Sequence, residues 1–182
     1  MMVLNALAID PGRVWKGVWR WFSEEMLGCC KDLKEVQSQG ISLDEFGCLA
    51  RCYGANAVVQ RGPSIDAFRR EIARNCSASS SFLCLNYCRK TLGQTGSGHF
   101  SPVAGYDSVR DLVLIMDVAR FKYPPHWVSV DLMQSAMLER GFAVISPAFE
   151  KAGEDGKGRP LLGCGGCCRI DGFDAKGRPQ KK

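Results

Sequence analysis

GHFSPVAGYDSVRDLVLIMDVARFKYPPHW, residues 98 to 127, decides how this chain is to be read. It contains both histidines, His99 and His126. HFSPVAGY (99–106) and LVLIMDVARF (112–121) have the β-branched and aromatic content of strands. Asp107, Ser108, Val109 and Arg110 between them are few enough for a tight hairpin. With the turn centred near Ser108, antiparallel pairing puts His99 opposite Asp117 to within about one step of register. Opposed residues share a face, with Cβ atoms roughly 4.5–5.5 Å apart. A carboxylate at that separation fixes the imidazole tautomer and leaves the other ring nitrogen free to act as a base. Two readings stay open at this point: a structural histidine beside a capping aspartate, or two members of a catalytic set whose nucleophile lies elsewhere.

Outward from this stretch, helical and extended patterns alternate. VLNALAI (3–9) is apolar and helical in character, without an N-cap. KGVWRWF (16–22) predicts a loop whose aromatics pack onto the core. Ser23, with Glu24 and Glu25 behind it, predicts a helix whose face is Met26, Leu27, Cys30 and Leu33, stopped by Gly40. Ser42 and Glu45 have capping-box spacing ahead of Phe46, Leu49 and Ala50. AVVQ (57–60) reads as a short strand, and Ser64 caps a helix with Ile65, Phe68 and Ile72 on one side. SASSS (77–81) reads as a loop. Ser129 caps a helix bearing Leu132, Met133, Ala136 and Met137, and FAVIS (142–146) is a further strand. The result is an α+β chain with one domain over residues 1–148. From 149 to 182 the composition turns to Gly, Lys, Arg and Asp, which predicts a poorly ordered tail.

Composition excludes several classes. A hydrophobic share of 46% with 24% charged residues is globular, and no apolar run reaches the roughly 20 residues of a membrane span. The net charge of +5 is spread along the chain, without the aromatic-laced basic face that nucleic acid needs. MMVLNALAIDPGR has neither the basic start nor the cleavage site of a secretory signal, so a cytoplasmic protein is expected.

Ten cysteines stand at 29, 30, 48, 52, 76, 84, 88, 164, 167 and 168. They show no paired CxxC zinc pattern, and a reducing compartment argues against a disulfide framework. Cys29, Cys30, Cys48 and Cys52 are expected in helices as free thiols, with no feature marking one as activated. Cys164, Cys167 and Cys168 in the tail have spacing suited to a soft cation such as Cd²⁺ or Zn²⁺.

GHFSPVAGY and MDVARFKYPPHW, with VLNALAIDPGRVWKGVWRWF (3–22), resemble the catalytic domain of the phytochelatin synthases, the glutathione γ-glutamylcysteinyltransferases, roughly from Val3 to Pro147. The resemblance implies a papain-like α+β fold with a helical part and an antiparallel sheet, lacking the start of the central helix. It implies acyl transfer by a Cys-His-Asp triad: γ-Glu-Cys moves from glutathione to a second glutathione or to a phytochelatin peptide, and glycine is released. Carried over residue by residue, His99 is the base, Asp117 its orienting partner, and Arg120 and Arg140 hold substrate carboxylates. A heavy-metal ion, Cd or Zn, enters as activator or as metal-thiolate substrate, with no organic cofactor. A homodimer is a possible assembly. The nucleophilic cysteine and an upstream oxyanion-hole glutamine align before Met1, so the chain as written is expected to be inactive or a poor transferase. Glu139 is a weak stand-in for a substrate-binding acid of the family. The contrasting class is a non-catalytic, thiol-rich metal-binding protein, and hydrolysis of glutathione conjugates is the variant in which water is the acceptor.

Overall fold

The computed structural model describes residues 1–137 and 140–148. Cys164, Cys167, Cys168, Glu139 and the predicted tail lie outside the described residues. The described residues form an α+β structure. Helices α1 (Met2–Ala6), α2 (Leu33–Gln39), α3 (Leu43–Cys52), α4 (Ile65–Cys76) and α5 (Val130–Met137) surround strands β1 (Ala55–Gln60), β2 (Phe82–Cys88), β3 (Gly98–Asp107), β4 (Leu112–Ile115), β5 (His126–Ser129) and β6 (Gly141–Pro147). The strands make one sheet in the order β1-β6-β2-β3-β4-β5, every pair antiparallel. No described helix is long and apolar enough to cross a membrane.

Helix starts follow local chemistry. Ser42 accepts from the Glu45 amide while Glu45 reaches back to the Ser42 amide, a complete capping box. Ser64 caps α4 through the Ala67 amide, and Ser129 accepts from the Leu132 amide at the start of α5. The predicted helix from Ser23 to Gly40 does not form. Only Glu24–Met26 make a single 3₁₀ turn, and α2 begins separately, with Asp32 accepting from the Lys34 amide. Between them Cys30 sits at φ 65°, a left-handed backbone that no α-helix contains.

Strand alternation divides the interior in two. On one face, Leu83, Leu85 and Tyr87 of β2, Val103 of β3 and Phe142 of β6 pack with Phe68 and Ile72 of α4 and Met133 and Met137 of α5. On the other, Cys84 of β2, Ala143 and Ile145 of β6 and Ala55 and Ala57 of β1 pack with Val3 and Leu4 of α1, Leu43 and Ala50 of α3, and Phe22. The expected docking of the 16–22 loop fails for most of its aromatics: Phe22 is buried, whereas Trp19 and Trp21 are largely exposed. The expectation of free thiols at the four cysteines fails as well. Cys29 is bonded to Cys52 and Cys30 to Cys48, and the first two stand on the loop before α2 rather than in a helix.

Candidate active site

β2 and β3 place the first components. Their antiparallel register sets Tyr87 beside His99, so the two share a face and their rings meet edge to face at 5.7 Å. The connection between these strands is closed by the Arg89 amide donating to the Ser97 carbonyl at 2.7 Å. Gly93 and Gly96, at φ 69° and 106°, turn the chain back. Arg89 leaves the end of β2 and lies beneath His99 with only 4% of its surface exposed.

Asp117 arrives from β4. The hairpin turn lies later than the spacing predicts, at residues 108–111, and a bulge between Val103 and Gly105 shifts the ladder. Val103 pairs with Ile115, and the Met116 amide donates to the Pro102 carbonyl. Continuing that register brings Asp117 opposite Ser101, two residues from His99. The displacement is an even number, so the side-chain face is unchanged.

The geometry is that of a buried charge cluster. His99 Nε2 lies 3.0 Å from Asp117 Oδ1 and 2.7 Å from Arg89 Nη2. Arg89 Nη2 donates to Asp117 Oδ1 at 2.9 Å and makes an ion-pair contact with Oδ2 at 2.8 Å. The Ala119 amide donates to Oδ1 at 2.8 Å. One ring nitrogen cannot both donate to the carboxylate and accept from the guanidinium. With the proton on Nε2 the ring faces Asp117 and Nδ1 is left as the basic nitrogen; with the proton on Nδ1, Nε2 accepts from Arg89. Burial, reinforced by the Arg89 charge, lowers the His99 pKa in spite of Asp117. For Asp117, burial pushes upward but is outweighed by the Ala119 amide, His99 and Arg89, and its carboxyl titrates below the ordinary value. A neutral imidazole beside an ionised carboxylate is the state a general base needs near neutral pH.

A second layer holds Arg89. Its Nη1 donates to Gln94 Oε1 at 2.7 Å, and its guanidinium lies over the Tyr123 ring at 4.8 Å. Gln94 Nε2 meets His126 Nε2 at 3.1 Å, while His126 Nδ1 meets the Pro124 carbonyl at 2.9 Å. A carbonyl only accepts, so Nδ1 of His126 carries the proton and Gln94 is the donor to Nε2. Both histidines therefore join one polar cluster. Sequence reading missed Arg89 and Gln94; the signal available was the glycine-punctuated RKTLGQTGSG run (89–98) just ahead of His99.

A thiol for His99 is harder to find. Cys84 and Cys88 pair with Pro102 and Gly98, so both project to the face opposite His99. Burial pushes the Cys84 thiol up to about 12, which makes it inert. Hydrogen bonds from the Thr91 and Lys90 amides lower that of Cys88, on the wrong side of the strand. Cys76 ends α4, and the remaining four described cysteines are paired with one another.

Arg140 and Arg120 occupy different settings. Arg140 closes over Gly98, where a Cβ would stand 2.5 Å from its Nη1, so a larger residue there would push the guanidinium aside. With Arg61, Ser42, Leu43, Ile41 and Asn86 it lines a cavity of about 300 Å³. Asn86 is buried, and its Oδ1 has no hydrogen-bond partner among the described residues. Two guanidinium groups with a primary amide suit a carboxylate-bearing ligand. Arg120 is exposed in the turn after Asp117.

A family model described as phytochelatin synthase matches residues 1–141. Curated relatives include glutathione gamma-glutamylcysteinyltransferase 3 of Lotus japonicus, 48% identical over 155 residues, covering 80% of this chain and 32% of that protein. Glutathione gamma-glutamylcysteinyltransferase of Schizosaccharomyces pombe is 42% identical over 156 residues, covering 80% and 38%. Glutathione gamma-glutamylcysteinyltransferase 1 of Arabidopsis thaliana is 47% identical over 162 residues, covering 84% and 33%. The chain thus spans about a third of the length of the curated relatives it matches.

Proposed function

The chain belongs to the phytochelatin synthase family, and on that premise we propose that it carries the base side of a papain-like transfer of γ-Glu-Cys from glutathione to a second glutathione. The observation that carries this reading is the 3.0 Å contact between His99 on β3 and Asp117 just past the end of β4, in a chain with this family match. In the reaction a thiolate attacks the carbonyl carbon of the Cys-Gly amide. The imidazolium of His99 protonates the departing glycine nitrogen, the C–N bond breaks, and a thioester remains. His99 then takes a proton from the amine of the second glutathione as that amine attacks, and the thiolate is released. Asp117 is the positioning residue that selects the Nε2–H tautomer and leaves Nδ1 to face the thiol. Arg140, with Arg61 and Asn86 beside it, is assigned one glutathione carboxylate and Arg120 a second. Cadmium or zinc enters as the metal-thiolate of the substrate, and the domain over residues 1–148 works in the cytoplasm.

No thiol among the described residues faces His99, so this assignment leaves the nucleophile to a cysteine outside them. The test is to assay glutathione with Cd²⁺ using the chain alone and the chain preceded by the corresponding segment of the Arabidopsis thaliana relative. Peptide product from the extended form, lost in His99→Ala and reduced roughly 10²–10⁴-fold in Asp117→Asn, supports the reading. Equal turnover by the His99 variant removes His99 from the chemistry.

A further inference from the structure

Four cysteines outside this site converge from two elements. Cys48 and Cys52 are one turn apart on α3 and share its face. Cys29 and Cys30 are neighbours in sequence, and side chains of adjacent extended residues diverge. Here they do not. Cys30 adopts φ 65°, and the Lys31 amide donates to the Cys29 carbonyl at 2.7 Å, a reversal that turns both sulfurs toward α3. A non-glycine residue held there is strained, and the surroundings must offset that strain.

The sulfur positions identify what offsets it. Cys29 Sγ and Cys30 Sγ are 3.8 Å apart, and the sulfurs of Cys29, Cys30 and Cys52 all lie within 4.8 Å of one another. Cys48 is bonded to Cys30. Metal–sulfur bonds of about 2.3 Å in tetrahedral geometry set neighbouring sulfurs about 3.8 Å apart. Clamps on either side hold the loop in register. Tyr53, directly after α3, donates its hydroxyl to the Met26 carbonyl and accepts from the Cys29 amide, and Lys31 pairs with Glu45 at 3.2 Å. Cys30 is exposed and the other three are half-buried, so an ion in solution reaches the cluster.

We propose that Cys29, Cys30, Cys48 and Cys52 form a four-thiolate site for one soft divalent cation of the Zn²⁺ or Cd²⁺ class, and that cation and disulfides exclude each other. In the reduced chain the cation displaces the thiol protons and binds four sulfurs. On oxidation by a low-molecular-weight disulfide such as glutathione disulfide, each cysteine pair loses two electrons and two protons. The oxidant is cleaved to two thiols through a mixed disulfide, and Cys29–Cys52 and Cys30–Cys48 close. Either state clasps the loop before α2 to α3; the reduced, metal-free state releases it. The site stands apart from the acyl-transfer reading, since its readout is metal and thiol status rather than turnover.

The test uses the full chain, reduced and anaerobic, titrated with Cd²⁺ and followed by the ultraviolet thiolate charge-transfer band. A Cys164→Ser/Cys167→Ser/Cys168→Ser variant keeps one tight equivalent, and a Cys29→Ser/Cys52→Ser variant loses it. Alkylation of the unmutated chain, mapped by mass spectrometry, shows these four cysteines protected by bound Cd²⁺, a result that does not depend on any variant folding. Treatment with glutathione disulfide abolishes the band, and bound Cd²⁺ slows that oxidation at least tenfold. Unprotected alkylation of the four, or undiminished Cd²⁺ binding after both disulfides have formed, overturns the proposal.

Discussion

The two faces of the sheet are built by different means. The face toward α4 and α5 buries Phe68, Ile72, Leu85, Tyr87, Met133 and Phe142 essentially completely, and the charge cluster of Arg89, His99 and Asp117 sits at its edge. The face toward α1 and α3 buries smaller side chains, among them Ala50, Ala55, Ala57 and Ala143, and adds sulfur cross-links at its periphery. Full burial of a large side chain contributes roughly 1.5–3 kcal/mol, so the first face stands on packing. The second has less apolar area to draw on and relies on covalent or ionic closure. A base must be held to within fractions of an ångström, whereas a cation-responsive loop must be able to let go.

The largest expected effect tests this contrast directly. Phe68, wholly buried, stacks on Phe142 at 5.8 Å, and Phe68→Ala is expected to cost about 3–5 kcal/mol in urea unfolding. Phe46 on α3, half-buried and stacked on Phe100 at 4.8 Å, is expected to lose only about 1–2 kcal/mol as Phe46→Ala. Equal losses, measured under reducing conditions, would erase the distinction between the faces.

Acid sharpens it next. The folded pKa of His99 lies below its ordinary 6.5, so at pH values under 6.5 the unfolded chain binds more protons. The stability from neutral His99 is complete above that pH and is lost as pH falls toward the folded value, by up to about 1.4 kcal/mol per pH unit. Asp117, also lowered, adds a second loss beginning below 3.8 and ending at its folded pKa. Urea midpoints from pH 8 to 4 are expected to fall with pH, and His99→Gln is expected to flatten the upper part of the decline. An unchanged slope in that variant places the titration elsewhere.

Much of this architecture was legible in residues whose roles are local. Ser42 with Glu45, Ser64 and Ser129 start helices because a cap needs only its own turn. β2 was not read, because a central strand lacks alternation: FLCLNYC (82–88) is buried on both faces. Losing β2 hid Arg89 and Gln94, which depend on where it ends. The hairpin register was two residues out, since the bulge near Ala104 has no local signature, yet an even error preserves the face and His99 still meets Asp117. The vicinal cysteines misled most. Helical spacing from Met26 to Leu33 is real in the sequence, but partners on α3 override it with a left-handed Cys30.

The smallest effect separates the ends of α3. Removing the cap with Ser42→Ala is expected to cost about 1 kcal/mol, read from urea unfolding. Ser42 is six residues before Cys48, roughly 9 Å along a helix rising about 1.5 Å per residue, and the hydroxyl removed accepts from the Glu45 amide while the Glu45 carboxylate keeps its bonds to the Ser42 amide and to Lys31 of the cysteine loop. Sites that far apart normally add to within about 0.5 kcal/mol. The cap loss is therefore expected to be the same in reduced and disulfide-closed protein. A larger penalty in one state would mean that sulfur closure props up the first turn as well. The clasp would then act on the whole helix, including Leu43 in the wall of the Arg140 pocket, and the two faces would no longer be independent.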